Sequence, residues 1–414
     1  MNDTRFPHAY SFVLAELGRR LGEPAPGRVQ ILAGPRQVGK THLLLELVEM
    51  LGPRAIYVAA DAPEAALSGW WEAWWGRAEE AARQDPPAVL MIDEIPHLPD
   101  WSARLKAAYD RILRERVPVH VIVSGSSSLR LGSGARESMA GRFERHRLLH
   151  WPPSELVRVF GMEPDEAVTV AVRHGSYPGA VSLLSDPARW RAYVRDAIIE
   201  PALGRDILAM ETIRKPALLR QVFAVAAGHP AEIVSLQKLR LALTDPGALE
   251  TIAHYLRVLE EAFLVAALPR LSEHEIRRRA APPKLVPLNQ ALVAAMATGG
   301  PPPENEQSRW GRWVENACIA HAWNAGQTVR YWRSSPLEVD MTFEGTWGRW
   351  AVEVKTGRFA ANDLAGLLEL CRRHRGFRPL LLCDRSQERL AKPAGVEVMS
   401  WQDFLLHGPP GVEE

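Results

Sequence analysis

The eight residues 34–41 constrain this chain more than any other segment. They read Gly-Pro-Arg-Gln-Val-Gly-Lys-Thr, follow the apolar run VQIL and lead into the helical pattern THLLLELVEML. A glycine-rich loop between a buried strand and a helix surrounds phosphates with backbone N–H groups, while the lysine reaches the β/γ oxygens and the hydroxyl binds Mg²⁺. The pattern therefore predicts a site for ATP and Mg²⁺. The residues expected to contact the nucleotide are Gly34, Pro35, Arg36, Gln37, Val38, Gly39, Lys40, Thr41 and His42.

An acid pair follows a second apolar run, Ala88–Ile92. Asp93 at the end of such a strand can orient Mg²⁺ together with Thr41, and Glu94 can polarise the attacking water, which favours hydrolysis over simple nucleotide storage. An acidic helix cap is the alternative interpretation. After the next strand, Ser124 and Ser126 are candidates for sensing the γ-phosphate or the attacking water, and capping of the following helix is the alternative there.

Short apolar strands alternate with helical stretches between residues 28 and 155, which predicts a buried parallel sheet. The expected strands are 28–34, 54–61, 88–95, 119–128 and 146–153. Arg142 precedes the last of them and is the candidate that completes a neighbouring subunit's site. Arg136, Arg145 or a plain surface ion pair are the alternatives.

The segments GPRQVGKT, IDEI, SGSSS, ESMAGRF and HGSYPGA resemble a prokaryotic family of AAA+ ATPases with a C-terminal domain of unknown function. The resemblance extends over almost the whole chain. It implies an α/β fold with a P-loop parallel-sheet core and a ring-shaped homo-oligomer, and it places Tyr177 and Pro178 near the adenine. The expected domains are the AAA+ core 1–155, a helical lid 156–210, a winged-helix-like domain 211–296, a linker 297–309 and a restriction-endonuclease-like α/β domain 310–414.

The middle of the chain suggests DNA contact through one of two surfaces. Three helical patterns followed by an apolar strand resemble a winged helix, whose third helix carries His254 and Arg257. Because that helix is also acidic, with Glu250, Glu260 and Glu261, a spacer or subunit contact is the favoured alternative. The better basic candidates, Arg277, Arg278, Arg279 and Lys284 on the expected wing, could hold phosphates, or could form an ordinary solvated loop.

The tail carries a second constellation of charged residues. Glu315 lies in a helical pattern, Asp340 follows a strand-like run, and Glu353 and Lys355 alternate onto one face of the next strand. This is the spacing of a PD-(D/E)xK nuclease core, in which carboxylates share Mg²⁺ and the lysine positions water. The motif alone does not show cutting, since such a fold also serves as a binding or assembly module.

Composition limits the remaining possibilities. Formal net charge is +1, so DNA binding must come from local basic surfaces. The 3 cysteines lack metal-ligand spacing, and no long apolar run is present, which together predict a cytoplasmic protein without membrane contact. The tryptophans of SGWWEAWWG are expected to pack in a core or interface, with stacking on bases as the alternative. They are Trp70, Trp71, Trp74 and Trp75.

These patterns together predict a homo-oligomeric, hexameric ring that hydrolyses ATP as a motor and remodels duplex or branched DNA, as in branch migration, repair or recombination. An ATP-gated, metal-dependent nuclease is one alternative. An ATP-dependent signalling switch is another.

Overall fold

The computed structural model describes residues 4–125, 139–210, 213–244, 247–272, 281–388 and 395–411. The chain divides into two compact units. The first runs from His8 to Leu149, and the second comprises Asp3–Pro7 together with His150–Glu414. Ser126, Arg136 and Arg277–Arg279 lie outside the described residues.

The first unit is built on a five-stranded parallel sheet of order β2-β3-β4-β1-β5. The strands are β1 (Val29–Ala33), β2 (Ala55–Ala59), β3 (Ala88–Asp93), β4 (Val119–Gly125) and β5 (Phe143–Arg147). The central strands β1, β3 and β4 are buried along their whole length, as their continuous apolar runs predict.

The fifth strand begins earlier than the sequence analysis expects. It pairs Phe143 with Val29 and Arg147 with Ala33, so it starts three residues before the apolar run that was expected to form it. Its sequence, FERHR, lies at the edge of the sheet and is only half-buried. An edge strand needs no continuous apolar pattern, and for that reason the hydrophobic signal misplaced it.

The helices of this unit are α1 (Tyr10–Leu21), α2 (Lys40–Leu51), α3 (Trp70–Gln84) and α4 (Trp101–Glu115), with short 3₁₀ helices at Gly52–Arg54, Pro63–Ala66 and Ile95–His97. In α4 the buried side chains recur at helical spacing, which directs one face to the sheet. In α3, Trp71 and Trp75 are buried with ring centroids 5.7 Å apart, while Trp70 and Trp74 pack on the same core at its margin. Trp71 and Trp75 therefore pack in the core, as favoured by the sequence analysis, and they do not offer their rings for stacking on bases.

The second unit begins with helices, several of which have proline at the first turn, where a missing N–H costs nothing. They are α5 (Pro153–Phe160), α6 (Pro164–His174), α7 (Pro178–Val181), α8 (Pro187–Tyr193), α9 (Ile207–Met210), α10 (Pro216–Gly228), α11 (Leu236–Leu241), α12 (Leu249–Glu261) and α13 (Gln290–Met296). Between α8 and α9 the helical path widens into π-helical turns at Val194–Ile199 and Ala202–Asp206.

A small antiparallel sheet of order β6-β8-β7 accompanies α10–α12. Its strands are β6 (Glu232–Ile233), β7 (Val265–Leu268) and β8 (Lys284–Pro287). In chain order the described residues of this part run helix, strand, helix, helix, strand, strand. Residues 297–306 form neither helix nor strand, and then α14 (Gln307–Asn324) begins the tail.

The tail has a mixed five-stranded sheet of order β13-β12-β11-β10-β9. The strands are β9 (Thr328–Ser334), β10 (Leu337–Gly345), β11 (Gly348–Lys355), β12 (Arg378–Cys383) and β13 (Glu397–Ser400), and the remaining helices are α15 (Ala365–Arg373), α16 (Arg385–Glu388) and α17 (Trp401–His407), with a 3₁₀ turn at Ala361–Leu364. β9, β10 and β11 are antiparallel, whereas β12 and β13 continue parallel to β11. Within the described parts of the chain, no helix is long and apolar enough to cross a membrane.

Close packing between the phosphate-loop segment and the chain after β5 generates a stability prediction. A Cβ added to Gly34 would lie 1.9 Å from the backbone oxygen of Leu148. Gly34→Ala should therefore lower the free energy of unfolding by about 1–3 kcal/mol, the range found for overpacked sites. Denaturant unfolding followed by circular dichroism measures it.

Gly76 is the matched control, because it lies on the exposed side of α3 and an added Cβ would meet nothing within 4 Å. Gly76→Ala should be neutral or stabilise by up to about 1 kcal/mol, since alanine is the better helix former. Equal stability of Gly34→Ala and the unaltered protein would show that the close approach to Leu148 is not required.

Candidate functional site

The loop from Gly34 to Gly39 joins β1 to α2 at the carboxyl edge of the parallel sheet. Gln37 (φ 63°) and Gly39 (φ 97°) adopt left-handed backbone conformations that bend the loop before the helix begins at Lys40. Lys40 is buried, and its ammonium donates hydrogen bonds to the carbonyls of Gly34 (3.1 Å) and Pro35 (2.9 Å). The loop is thus shaped around the ammonium before any nucleotide enters.

Asp93 is the centre of a hydrogen-bond network at the same edge. Its Oδ2 accepts from the Thr41 hydroxyl at 2.7 Å and from the Tyr57 hydroxyl at 3.0 Å. Its Oδ1 accepts from the Ser124 hydroxyl and from the backbone N–H of Glu94 at 3.1 Å. Four neighbouring segments, the start of α2, the middle of β2 and the ends of β3 and β4, therefore converge on one buried carboxylate.

Glu94 follows directly in a left-handed backbone conformation (φ 49°). Such a conformation costs a non-glycine residue on the order of 1–3 kcal/mol and is typical of functional sites. Its N–H also lies 3.1 Å from Ser124 Oγ, so the serine contacts both members of the acid pair. The structure thus gives Ser124 a positioning contact to Asp93 and Glu94.

The arrangement fits a hydrated magnesium ion. Mg²⁺ in nucleotide sites takes one or two protein oxygens and keeps several waters, so the adjacent Thr41 hydroxyl and Asp93 carboxylate are a sufficient donor set. Among the described residues no group of three or more histidine, cysteine or acidic side chains is arranged to hold a metal ion.

Tyr57 is the site residue that the sequence analysis missed. Burial, and then the neighbouring Asp93 carboxylate, raise the pKa of its phenol, so it remains a hydrogen-bond donor to that carboxylate. The signal available in the sequence was weak. Tyr57 lies within β2, and only the pairing of Ala59 with Asp93 brings the end of that strand to the acid pair.

His42, included in the predicted nucleotide-binding segment, stacks on Tyr10 of α1 with ring centroids 6.1 Å apart. Arg142 lies at the other end of the sheet, because its carbonyl accepts from the N–H of Val29, the first residue of β1. Its guanidinium pairs with Asp110 of α4 at 2.7 Å. Arg145, the alternative described by the structure, lies on β5 over the ring of Phe143.

Tyr177 differs from its predicted role beside the adenine. Its side chain is 1% exposed and packs edge-on against His150, at 5.2 Å between centroids. No ring surface remains for a base, so this expectation is corrected; Pro178 is half-buried. The segment HGSYPGA that contains Tyr177 is instead held by Asn289, whose side-chain oxygen accepts a hydrogen bond from the N–H of Ser176.

In the middle of the second unit, Arg257 is exposed on α12 and His254 is half-buried. Glu260, counted as a surface acid in the sequence analysis, is largely covered: its carboxylate accepts from the N–H of Ala267, and burial raises its pKa. Lys284 does not face a nucleic acid. It is 1% exposed, which corrects the prediction that it contacts DNA.

The ammonium of Lys284 instead lies among the tail carboxylates. It donates to Glu315 Oε1 at 2.6 Å and to the backbone oxygen of Asp340 at 3.0 Å, with Glu338 Oε1 at 3.8 Å. Burial opposes its charged form, but Glu315 and Asp340 outweigh it and raise the pKa of Lys284 to about 12. Burial and Asp340 in turn raise the pKa of Glu315 to about 7, against the effect of Lys284.

The other predicted tail residues lie beside this group. Lys355 donates to Glu353 Oε1 at 2.6 Å, and Asp340 Oδ2 accepts from the N–H of Val354 at 2.8 Å. Glu353 Oε2 is buried without a hydrogen-bond partner. Burial, followed by repulsion from Asp340, raises the pKa of Glu353 well above its ordinary value, which favours the neutral acid. The structure therefore brings Glu315, Asp340, Glu353 and Lys355 together, with Lys284 added.

Residues 26–157 match a family model described as an AAA domain. This chain carries an AAA+ ATPase domain. The match confirms the resemblance and the P-loop α/β core inferred from the sequence. Residues 166–302 and 310–404 match two domains of unknown function, DUF8612 and DUF4143. No curated protein sequence matches the chain.

Among solved structures, the Aeropyrum pernix ORC1 protein in complex with DNA is similar at 15% identity and a TM-score of 0.32, covering 69% of this chain and 91% of that one. AMPPCP-bound DnaA from Aquifex aeolicus is similar at 15% identity and a TM-score of 0.33, covering 62% and 92%. At these scores the superpositions carry no argument about function.

The contacts of Ser124 generate a prediction for the ATPase. Ser124→Ala removes the hydroxyl that contacts both Asp93 and Glu94, so kcat for ATP should fall about 10- to 100-fold with little change in nucleotide affinity, as for other groups that orient metal-binding residues. Steady-state turnover and equilibrium nucleotide binding measure the two effects separately.

Tyr57→Phe is the comparison, because the Tyr57 hydroxyl donates to Asp93 Oδ2, whereas the Ser124 hydroxyl contacts both Asp93 and the N–H of Glu94. Its effect on kcat should be smaller than that of Ser124→Ala. Equal losses in the two variants would indicate that Ser124 acts only through the carboxylate of Asp93.

Proposed function

We propose that this protein is a homo-oligomeric, ring-forming ATP hydrolase that acts on DNA and remodels duplex or branched DNA, with branch migration as the most specific form. The observation that carries the ATPase part is the convergence of Thr41, Ser124 and the Glu94 N–H on the buried carboxylate of Asp93. This convergence supports an ATPase site in which hydrogen bonds within the protein hold Thr41 and Asp93 for the metal ion and Glu94 for activation of water.

The chain's residues have separable roles in hydrolysis. The ammonium of Lys40, held by loop carbonyls, exchanges these acceptors for β- and γ-phosphate oxygens when ATP binds. The Thr41 hydroxyl and Asp93 would hold Mg²⁺, which would neutralise charge on the phosphates. Glu94 accepts the proton of the attacking water, and Ser124 keeps the backbone of Glu94 in register with Asp93.

The proposed contact with DNA rests on the second unit. Among the described residues, the order helix, strand, helix, helix, strand, strand over α10–β8, with an antiparallel sheet of order β6-β8-β7, resembles that of winged-helix DNA-binding domains and supports this part of the proposal. Exposed cations on α11 and α12 add local positive charge to a nearly neutral chain. They are Lys238, Arg240 and Arg257.

Lys40→Ala and Glu94→Gln should separate binding from chemistry. We expect Lys40→Ala to lose nucleotide binding, because a ground-state phosphate contact is removed. Glu94→Gln should bind ATP normally but turn it over about 10²- to 10⁴-fold more slowly, the usual loss for a general base. Binding of a fluorescent ATP analogue and phosphate release measure the two.

The DNA part is tested with the same variants. ATP turnover of the unaltered protein is measured with single-stranded, duplex and four-way-junction DNA, and strand exchange on the junction is followed with Glu94→Gln as the inactive control. Stimulation by DNA supports the motor, and preference for the junction supports branch migration. Neither binding nor stimulation by any DNA would contradict the proposal and favour the signalling switch.

The ring is tested through Arg142. Mixing Arg142→Ala subunits with Lys40→Ala subunits should restore part of the ATPase activity, since an intact phosphate loop can then face an intact arginine across a subunit boundary. Because Arg142 pairs with Asp110 within the chain, Asp110→Ala is the control: it breaks the same ion pair but keeps the cation. Equal loss in Asp110→Ala, or full activity of Arg142→Ala alone, would contradict a role in a neighbour's site.

A further inference from the structure

The lysine at the start of β8 reaches a group of residues that belongs to the tail. Lys284 precedes Glu315 on α14 by 31 residues and Asp340 on β10 by 56. A further contact holds the same strand to α14, because the Asn316 amide donates to the backbone oxygen of Pro287 at 3.0 Å. The small antiparallel sheet and the tail therefore share one charged centre.

This ammonium uses the oxygen atoms that a divalent cation would need. Lys284 contacts a carboxylate oxygen of Glu315, the backbone oxygen of Asp340 and, at longer range, Glu338. It is 1% exposed, so bulk water does not screen its charge. A second positive ion placed among the same oxygens would be strongly repelled.

The third acidic residue of this group, Glu353, has one carboxylate oxygen that Lys355 does not occupy. Glu353 is 6% exposed and its Oε2 has no hydrogen-bond partner, while its Oε1 is taken by Lys355. This buried, unpartnered oxygen is subject to repulsion from Asp340 and Glu315, so the three acidic side chains form one electrostatically coupled group. The residues thus have nuclease-like spacing but do not fit a metal while Lys284 is present.

We propose that the ammonium of Lys284 takes the place of the divalent cation in the nuclease-like group of Glu315, Asp340 and Glu353, so that the tail serves as a metal-free docking element for β8 and does not cut DNA. Lys284 is part of the chain, so it supplies permanently the positive charge that a nuclease obtains by binding a metal ion from solution. The proposal is independent of how the ATPase domain uses DNA.

Manganese binding to the nucleotide-free full-length protein tests this, followed by electron paramagnetic resonance of free Mn²⁺. Lys284→Met removes the charge and keeps a similar side-chain volume. It should gain one Mn²⁺ site that the unaltered protein lacks, because the repulsion between the Lys284 ammonium and a cation at Glu315, Asp340 and Glu353 is removed. Adding Glu353→Gln to Lys284→Met should abolish the gained site.

Lys238→Met is the matched control for the loss of a lysine charge, since Lys238 is an exposed lysine of α11 in the same unit, and it should gain no Mn²⁺ site. Circular dichroism and melting curves establish that each variant is folded. Failure of Lys284→Met to gain a site, or an equal gain in Lys238→Met, would overturn the proposal.

If Lys284→Met does not fold, a comparison that needs no change at Lys284 decides the question. The unaltered protein and Glu353→Gln should bind Mn²⁺ identically, because the tail takes no metal in either. Loss of a Mn²⁺ site in Glu353→Gln, or Mn²⁺-dependent DNA cleavage that disappears with it, would show that the group is a working metal site.

Discussion

The buried carboxylate of Asp93 is the interaction on which the ATPase unit depends. A charge taken out of water is tolerated only when donors surround it, and Asp93 obtains them from Thr41, Tyr57, Ser124 and the N–H of Glu94. Those donors lie at the beginning of α2, in the middle of β2 and at the ends of β3 and β4, so they meet only when the strands pair in the observed parallel register. The same contacts therefore stabilise this edge of the sheet and hold Asp93 and Glu94 in the geometry proposed for hydrolysis.

The second unit also buries a charged group, but there the charge is positive. Lys284 is buried, and its carboxylate and carbonyl partners come from α14 and β10. Removing one partner of such a pair leaves an uncompensated buried charge, which typically costs about 3–5 kcal/mol. Seven of the 50 basic residues are lysines, and three of these, Lys40, Lys284 and Lys355, have their ammonium groups at one of the two sites. A compact ammonium with three donors suits both environments, whereas the planar guanidinium of arginine does not reproduce its geometry.

How much of this the sequence could predict depends on distance along the chain. The phosphate loop and the pair Asp93–Glu94 were identifiable because short local patterns of strand, loop and helix determine them. Glu315, Asp340, Glu353 and Lys355 were identifiable from the nuclease-like spacing of their residue types along the chain, and strand alternation relates only Glu353 to Lys355. Tyr57 and Lys284 were missed or misassigned, since their partners lie 36 and 31 residues away and only strand pairing and helix packing bring them together. The start of β5 was misplaced for a different reason: the charged segment FERHR at a sheet edge carries no hydrophobic pattern.

The charge of α12 shows how burial alters an argument made from composition. Counted along the sequence, Glu250, Glu260 and Glu261 make this helix too acidic to approach DNA. In the structure Glu260 is covered, bound to the N–H of Ala267, and its pKa is raised by burial, so it adds less negative charge to the surface than the count suggests. Glu250 and Glu261 remain exposed beside Arg257, and they still oppose a phosphate backbone. If this domain binds DNA, the exposed Lys238 and Arg240 of α11 therefore supply more of the attraction than α12, where Glu250 and Glu261 offset the charge of Arg257.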